Sequence, residues 1–335
     1  MMKFRTMYSK IVRRIRWAAN DAIFTAGLRR VDALLDTPGQ CILLYHGIDR
    51  AGRKDLNRRF ISSAELDAQL RFFKNHAQVV SLRDFFAGRF DPSVFTLALS
   101  FDDGYRNNLE YALPLLDRYG LPATFFLTAV REAGFDYLWT DFLDLCSRLN
   151  DRPVRIESID YHKKKKRGDY HHPDGRKLRD IARTAPWPFK QAMFKAFTAN
   201  GAFREAAELR DYWEQMSQAD ILRLAASPLA EIGAHGYWHN NLASLPFEDA
   251  CQELHNCKRF LESVSGRRVC ALSYPDGSYS AQLVDYAAQL GFERQLVVNF
   301  RQPSDARDAR LRARLTINPT ISIENQLIAI QSGKY

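Results

Sequence analysis

FTLALSFDDGY, residues 95–105, is an apolar run that ends in two adjacent carboxylates, Asp102 and Asp103, followed by a glycine. Side chains alternate along a strand, so neighbouring carboxylates share a direction only where the strand stops and the backbone turns. Gly104 supplies such a turn. Two carboxylates this close repel each other unless a cation holds one of them. A cation, or its ligands, is therefore expected elsewhere in the chain. Working outward, further short runs rich in β-branched or aromatic residues read as parallel strands: CILLYH (41–46), QVVS (78–81), ATFFLTA (123–129), LAEIGAH (229–235), VCALSYP (269–275) and FERQLVV (292–298). Helical patterns lie between them. In SSAELDAQLRFFKNH, Ser63 is expected to cap a stretch with Leu66, Leu70 and Phe73 at helical spacing, and NLEYALPLLDRYG is expected to end at Gly120. The alternation predicts an α/β fold of about seven strands. It stops from about Leu138 to Arg223, where PWPF, KQAMFKAFTANGAF and REAAELRDYWEQ mark a helix-rich, charged insertion, about 140–223, between consecutive strands.

The 335 residues are 46% hydrophobic and 12% aromatic, enough for a large core and unlike a disordered or fibrous chain. The five cysteines are scattered and form no C-x-x-C pair, which argues for buried thiols in a reducing compartment rather than a disulfide framework. The net charge of +9 favours anionic partners. Much of that charge lies in residues 1–38, where Lys3, Arg5, Lys10, Arg13, Arg14 and Arg16 alternate with Met1, Phe4, Tyr8, Ile11, Val12, Ile15 and Trp17. This is the pattern of a basic amphipathic helix. It reads either as an arm on an anionic membrane surface, through residues 1–30, or as a solvated helix packed on the domain formed by residues 39–335. No apolar run is long enough to span a bilayer, and Asn20 and Asp21 interrupt any signal-peptide core, so a cytoplasmic or inner-membrane peripheral location is expected. A second basic stretch, from Tyr161 to Asp180, reads as a solvated, mobile loop.

Polar groups gather where the strands end. The first ends in Tyr45-His46-Gly47, the third in Asp102-Asp103-Gly104, the strand after the insertion in His235-Gly236-Tyr237-Trp238-His239, and the next in Tyr274-Pro275-Asp276-Gly277. In α/β sheets and barrels, chemistry collects at the C-terminal ends of strands. His235 and His239 can face one point once the backbone turns after His235. Two imidazoles and one carboxylate would then hold a divalent metal with positions left open.

TLALSFDDGYRNN, LPATFFLTA, EIGAHGYWHNNL and LSYPDGSYS, in this order, resemble the polysaccharide deacetylases of carbohydrate esterase family four, which share the NodB homology domain. Leu43-Leu44-Tyr45-His46 resembles the N-terminal block of the branch that includes poly-N-acetylglucosamine deacetylases. The resemblance covers about residues 40–320 apart from the insertion and implies a distorted (β/α) barrel. It also implies that Asp102 is the general base, that Asp103, His235 and His239 hold the metal (zinc first, then cobalt or nickel), and that His46 protonates the leaving amine. The backbone N–H of Tyr105 is implied to hold the oxyanion, with Tyr274, Pro275, Asp276 and Gly277 at the substrate and Trp139 either stacking on a sugar face or packed as a core tryptophan.

This chain departs from the family pattern in places. Gly236 stands where many relatives carry a bracing Ser or Thr, and the usual arginine before the Pro block is absent, with Ser273 near its place. Arg312 or Arg314 can replace it spatially, and Arg314 is the chosen base-orienting residue. No C-terminal Leu-His block is present, which strengthens the case for His46. The implied activity is removal of an N-acetyl group from an amino sugar, in a surface polysaccharide or in a nucleotide- or lipid-linked precursor such as a polyprenyl-linked sugar. A barrel that binds carbohydrate without catalysis is the alternative, and survival of Asp102 and His46 speaks against it. No helix-turn-helix, RRM-like or zinc-finger pattern supports nucleic-acid binding.

Overall fold

Strands built from long apolar runs, such as FTLALSF, have side chains to bury on both faces, and this is what a parallel sheet wrapped by helices requires. The computed structural model describes residues 2–165, 168–197 and 203–335, and for residues 2–10 the backbone alone. Met1, the side chains of Lys3, Phe4, Arg5, Tyr8 and Lys10 in the expected arm, Lys166 and Arg167 in the basic run, and residues 198–202 lie outside the described residues.

Fourteen strands are described: β1 (Gly39–Tyr45), β2 (Ile48–Asp49), β3 (Ile61–Ser62), β4 (Gln78–Val79), β5 (Phe95–Phe101), β6 (Ala123–Leu127), β7 (Val154–Ile156), β8 (Ile159–Lys163), β9 (Tyr170–His171), β10 (Ala230–Ala234), β11 (Ala271–Ser273), β12 (Arg294–Val297), β13 (Leu311–Ala313) and β14 (Leu315–Thr316). Nine form one parallel sheet in the order β13-β12-β11-β10-β6-β5-β1-β14, with β4 beside β5. The two edge strands, β13 and β14, are separated in the chain by Arg314 alone, so the sheet is a nearly closed, distorted (β/α) barrel whose seam lies at that residue. The expected strands are all present, and the two short seam strands are additional.

One face of the strands packs under the helices, with Leu43, Leu97, Leu99 and Phe101 against Leu66, Leu70 and Phe73. The other face holds Ile42, Ala98, Phe126, Ala271 and Leu296 with Leu82 and Phe85 of the short helix Leu82–Phe86. The helix Ser63–His76 starts one residue earlier than expected. Its cap is Ser62, which accepts from Glu65 N while the Glu65 side chain accepts from Ser62 N, a reciprocal pairing that Ser63 could not make with the same glutamate. Gly120 ends its helix in the left-handed conformation as expected, but Asn108–Ala112 before it are π-helical.

Between β6 and β10 the chain builds a second core of its own. Tyr137, Phe142, Trp187, Phe194, Phe197, Phe203 and Trp213 meet there, on and around the helices Trp139–Leu149 and Trp187–Phe197. This segment ends near Trp213. The helix Gln218–Ala226 places Ile221, Leu224 and Ala225 in the barrel core instead, ahead of the expected limit at 223. The basic stretch expected to be a mobile loop contributes β8 and β9 to an antiparallel sheet with β7. Tyr161 and Tyr170, each 1% exposed, anchor it to the second core beneath a charged surface.

Candidate active site

Asp102 and Asp103 project together because the backbone changes hand at the end of β5: φ is +77° at Asp103 and +73° at Gly104, which cancels the alternation of the strand. His239 (φ +57°) and Asp276 (φ +54°) are also left-handed, so three of the five described non-glycine residues with positive φ lie at these strand ends. Such conformations cost on the order of 1–3 kcal/mol each, and their concentration here is the signature of a site the surrounding structure over-determines.

The two carboxylates are held by different partners. Asp102 receives a two-pronged contact from Arg314, at 2.7 Å to each oxygen, and a hydrogen bond from Ser273 Oγ at 2.9 Å. Arg314 is fixed in turn by donating to Ser100 Oγ at 3.1 Å and Ser273 Oγ at 2.7 Å. The seam between β13 and β14 thus delivers the guanidinium that the Pro block lacks. Burial pushes the Asp102 pKa up, but the charge and hydrogen bonds of Arg314, together with His235 and His46, outweigh it and hold the group below the usual carboxylate range.

Asp103 faces the histidines. Its Oδ1 lies 3.3 Å from His235 Nε2 and 3.1 Å from His239 Nε2. His235 Nδ1 sits 2.8 Å from the Ser273 carbonyl, so its proton belongs on Nδ1 and the Nε2 lone pair is free to face Asp103. The three donor groups lie within 4.8 Å of one another and are buried, while His239 Nδ1 is buried without a hydrogen-bond partner. One carboxylate and two imidazoles at this spacing fit a divalent ion, with no other protein donor closing the remaining positions among the described residues.

Sequence reasoning missed Arg59 and Asp141. Arg59 Nη1 donates to Asp103 Oδ2 at 3.1 Å, and Nη2 lies 3.2 Å from Tyr105 Oη and 3.4 Å from Asp141 Oδ1. Tyr105 Oη donates to Asp141 Oδ2 at 2.7 Å. Against burial, the Arg59 charge and the two histidine contacts hold Asp103 well below the usual range, whereas burial pushes Asp141 up to about 7. Arg59 lies in a charged run, NRR, that carries no motif, and Asp141 lies in the insertion, so neither has a local signal.

The cavity above these groups is about 470 Å³ and is lined by His46, Arg59, Asp102, Asp103, His239 and Asp276, with Gly277 among its other residues. Burial and the nearby Arg59 push His46 down to about 4, against the pull of both aspartates. The backbone bonds Met216 N→Gly104 O and Arg106 N→Glu214 O flank Tyr105 and leave its own N–H outside that pairing. Pro275 is buried and absent from the cavity lining, whereas Tyr274 lines the cavity although its hydroxyl donates to Gln295 Oε1 at 2.6 Å. Trp139 requires a correction. It is 1% exposed and offers no face to a sugar; its Nε1 donates to the His239 carbonyl at 3.0 Å and its ring lies under Lys190 Nζ.

The histidine loop is braced after all. Glu253, on the helix Phe247–Ser265, accepts from Trp238 N at 3.1 Å and Asn240 N at 3.2 Å. At Gly236 (φ +77°) an added Cβ would meet Glu253 Oε1 at 3.0 Å, so the carboxylate occupies the space that a Ser or Thr would need. From the insertion, Lys190 donates to Asn240 Oδ1 and Trp187 stacks on Trp238 at 5.4 Å.

A parallel (β/α) barrel with paired acids and histidines at its C-terminal strand ends is the architecture of a NodB-like hydrolase. The polysaccharide deacetylase family model matches residues 91–169 and 195–294, and the chain belongs to that family. The fold is shared with the Streptococcus pyogenes deacetylase PplD, solved in complex with acetate (TM-score 0.55, 15% identity, covering 88% of this chain and 99% of that one). IcaB from Ammonifex degensii is similar too (TM-score 0.53, 17% identity, 88% and 98% covered), as is a putative polysaccharide deacetylase from Bacillus anthracis (TM-score 0.52, 16% identity, 87% and 68% covered). No curated protein sequence matches the chain.

Proposed function

We propose that this chain is a divalent-metal-dependent amidohydrolase that removes the N-acetyl group from an amino sugar of a surface polysaccharide or its lipid-linked precursor, releasing acetate. The observation that carries this reading is the convergence of Asp103, His235 and His239 beside a separately held Asp102. Zinc suits this donor set, with cobalt and nickel as alternatives. A divalent ion held by these three residues would supply Lewis acidity to the amide carbonyl and acidify water.

The chain's own groups account for the proton movements. Asp102, kept ionised by Arg314, takes a proton from the attacking water. Hydrogen bonds from Arg314 and Ser273 occupy three of its roughly four acceptor positions, leaving one on Oδ1. The Tyr105 N–H, outside the backbone pairing of its neighbours, would donate to the developing oxyanion. His46, pushed down to about 4, is neutral near pH 7 and delivers a proton to the leaving nitrogen only after receiving one during turnover. The balance closes: water adds hydroxyl to the acetyl carbon, the C–N bond breaks, and the proton ends on the amine.

The five free cysteines support a reducing compartment, and no helix among the described residues is long and apolar enough to cross a membrane. Together with the basic N-terminal arm, these features support a lipid-linked substrate met at the cytoplasmic face of the inner membrane. The test is acetate release from N-acetylhexosamine donors, lipid-linked ones included, before chelation, after it and after zinc is restored. Release abolished by chelation and recovered with zinc is expected. Release unaffected by chelation contradicts metal dependence, and no release from any donor contradicts the deacetylase reading.

A further inference from the structure

In the helix Met2–Thr25, the described side chains, from Ile11 on, dock along one side. Asn325, on the C-terminal helix Ile323–Ser332, donates to Asp21 Oδ1 at 2.6 Å and to the Trp17 carbonyl at 3.1 Å, and accepts from Asn20 Nδ2 at 2.8 Å. Ser322 Oγ donates to the same Asp21 oxygen at 2.5 Å, and the Trp17 ring meets Tyr335 edge-on. Residues 17, 20, 21 and 24 recur at helical spacing, and Phe24 packs on the barrel core, so this is the inward face.

The opposite face is apolar, and its described side chains, from Ile11 to Ile23, are exposed. Ile11 is 49% exposed, Val12 46%, Ile15 64% and Ile23 40%, with Ala18, Ala19 and Ala22 exposed on the same stripe. In sequence, Phe4 and Tyr8 extend that spacing toward the N-terminus. Arg14 and Arg16 are exposed and, at 100° per residue, border the stripe on its two sides. Residues 2–25 carry six cations, Lys3, Arg5, Lys10, Arg13, Arg14 and Arg16, against one acid, and that acid, Asp21, is turned inward onto Ser322 and Asn325.

We infer that the Ile11–Ile15–Ile23 face is a docking surface for an anionic lipid bilayer, on which the helix lies in the plane with its apolar stripe in the headgroup boundary and its arginines at the phosphates. Charge selects this occupant over a second copy of the chain. A self-paired stripe would bring Arg14 and Arg16 against their equivalents with no exposed acid on the helix to offset them, whereas anionic headgroups complement them. The inference deepens the reading of a membrane-presented substrate and rests on that reading only for its purpose.

The test is co-flotation of the full chain with vesicles, without turnover, so its failure leaves the deacetylase reading standing. Wild type is expected to bind phosphatidylglycerol/phosphatidylcholine vesicles at least tenfold better than phosphatidylcholine alone. Raising salt from 0.1 M to 0.5 M should weaken that binding. I11E/I15E is expected to lose the binding at least tenfold, and R14E/R16E to lose the preference for anionic lipid; because all four side chains are exposed, an unchanged thermal midpoint verifies that the barrel is intact. Equal flotation of I11E/I15E and wild type overturns the inference. So does a wild-type dimer, seen by light scattering, that I11E/I15E dissociates while neither protein binds vesicles.

Discussion

Asp102 and Asp103 are adjacent in the chain, yet two different parts of the molecule hold them. Asp102 belongs to the barrel: Arg314 from the seam, Ser273 from β11 and Ser100 from β5 surround it. Asp103 looks outward to Arg59, and through it to Tyr105 and to Asp141 of the insertion, while the insertion's Trp139 and Lys190 brace the loop that carries His239. One turn thus carries two carboxylates held in separate environments. A bidentate arginine keeps the first ionised and fixed; the second shares its charge among an arginine and two imidazoles, the environment of a ligand rather than a base.

The largest effect is expected from Asp102→Asn. Loss of the base is expected to lower kcat by about 10²–10⁴-fold with KM little changed, measured as acetate release, because only the transition state needs the proton acceptor. Arg314→Met is next, with an expected fall of about 10²-fold in kcat from misplacement of Asp102, and Ser273→Ala should fall less since the guanidinium remains. On the other side, Arg59→Met is expected to weaken zinc affinity by about 10–100-fold in a competition titration while a metal-saturated sample keeps most of its kcat. An equal loss of kcat at saturating zinc would place Arg59 in the chemistry instead.

Gly236→Ser tests the brace. A side chain at φ +77° within 3.0 Å of Glu253 is expected to destabilise the fold by about 1–3 kcal/mol in denaturant unfolding. The smallest effect is a pH slope. Asp141, pushed up to about 7 from an ordinary 3.8, keeps in the folded chain a proton that the unfolded chain has released. Its contribution is therefore full below about pH 4 and lost as pH rises through 7, and Asp141→Asn should flatten unfolding free energy over that window.

The barrel was legible because most of its strands are short, largely apolar runs and four strand ends carry titratable or turn-forming groups, so Asp102, Asp103, His235 and His239 stood out as candidates from spacing together with family resemblance. Arg314 was harder to find, since its role depends on the barrel seam closing on the strand that ends in Asp102, a contact between residues 212 positions apart. Arg59, Asp141 and Glu253 were not legible: each is an ordinary charged residue whose meaning comes from burial beside a partner distant in sequence. Trp139 misled for the same reason, because a tryptophan near a site reads alike whether it faces the cavity or supports a loop from behind. The strands β8 and β9 were hidden by a lysine-rich run in which Tyr161 and Tyr170 face inward among charged neighbours.

The central proposal is the division of labour between the two aspartates. Metal content per chain, measured side by side for purified Asp102→Asn and Asp103→Asn after loading with zinc, tests it directly. About one bound zinc in the first variant and essentially none in the second is the expected result. Zinc lost from Asp102→Asn, or retained at full occupancy by Asp103→Asn, would contradict it.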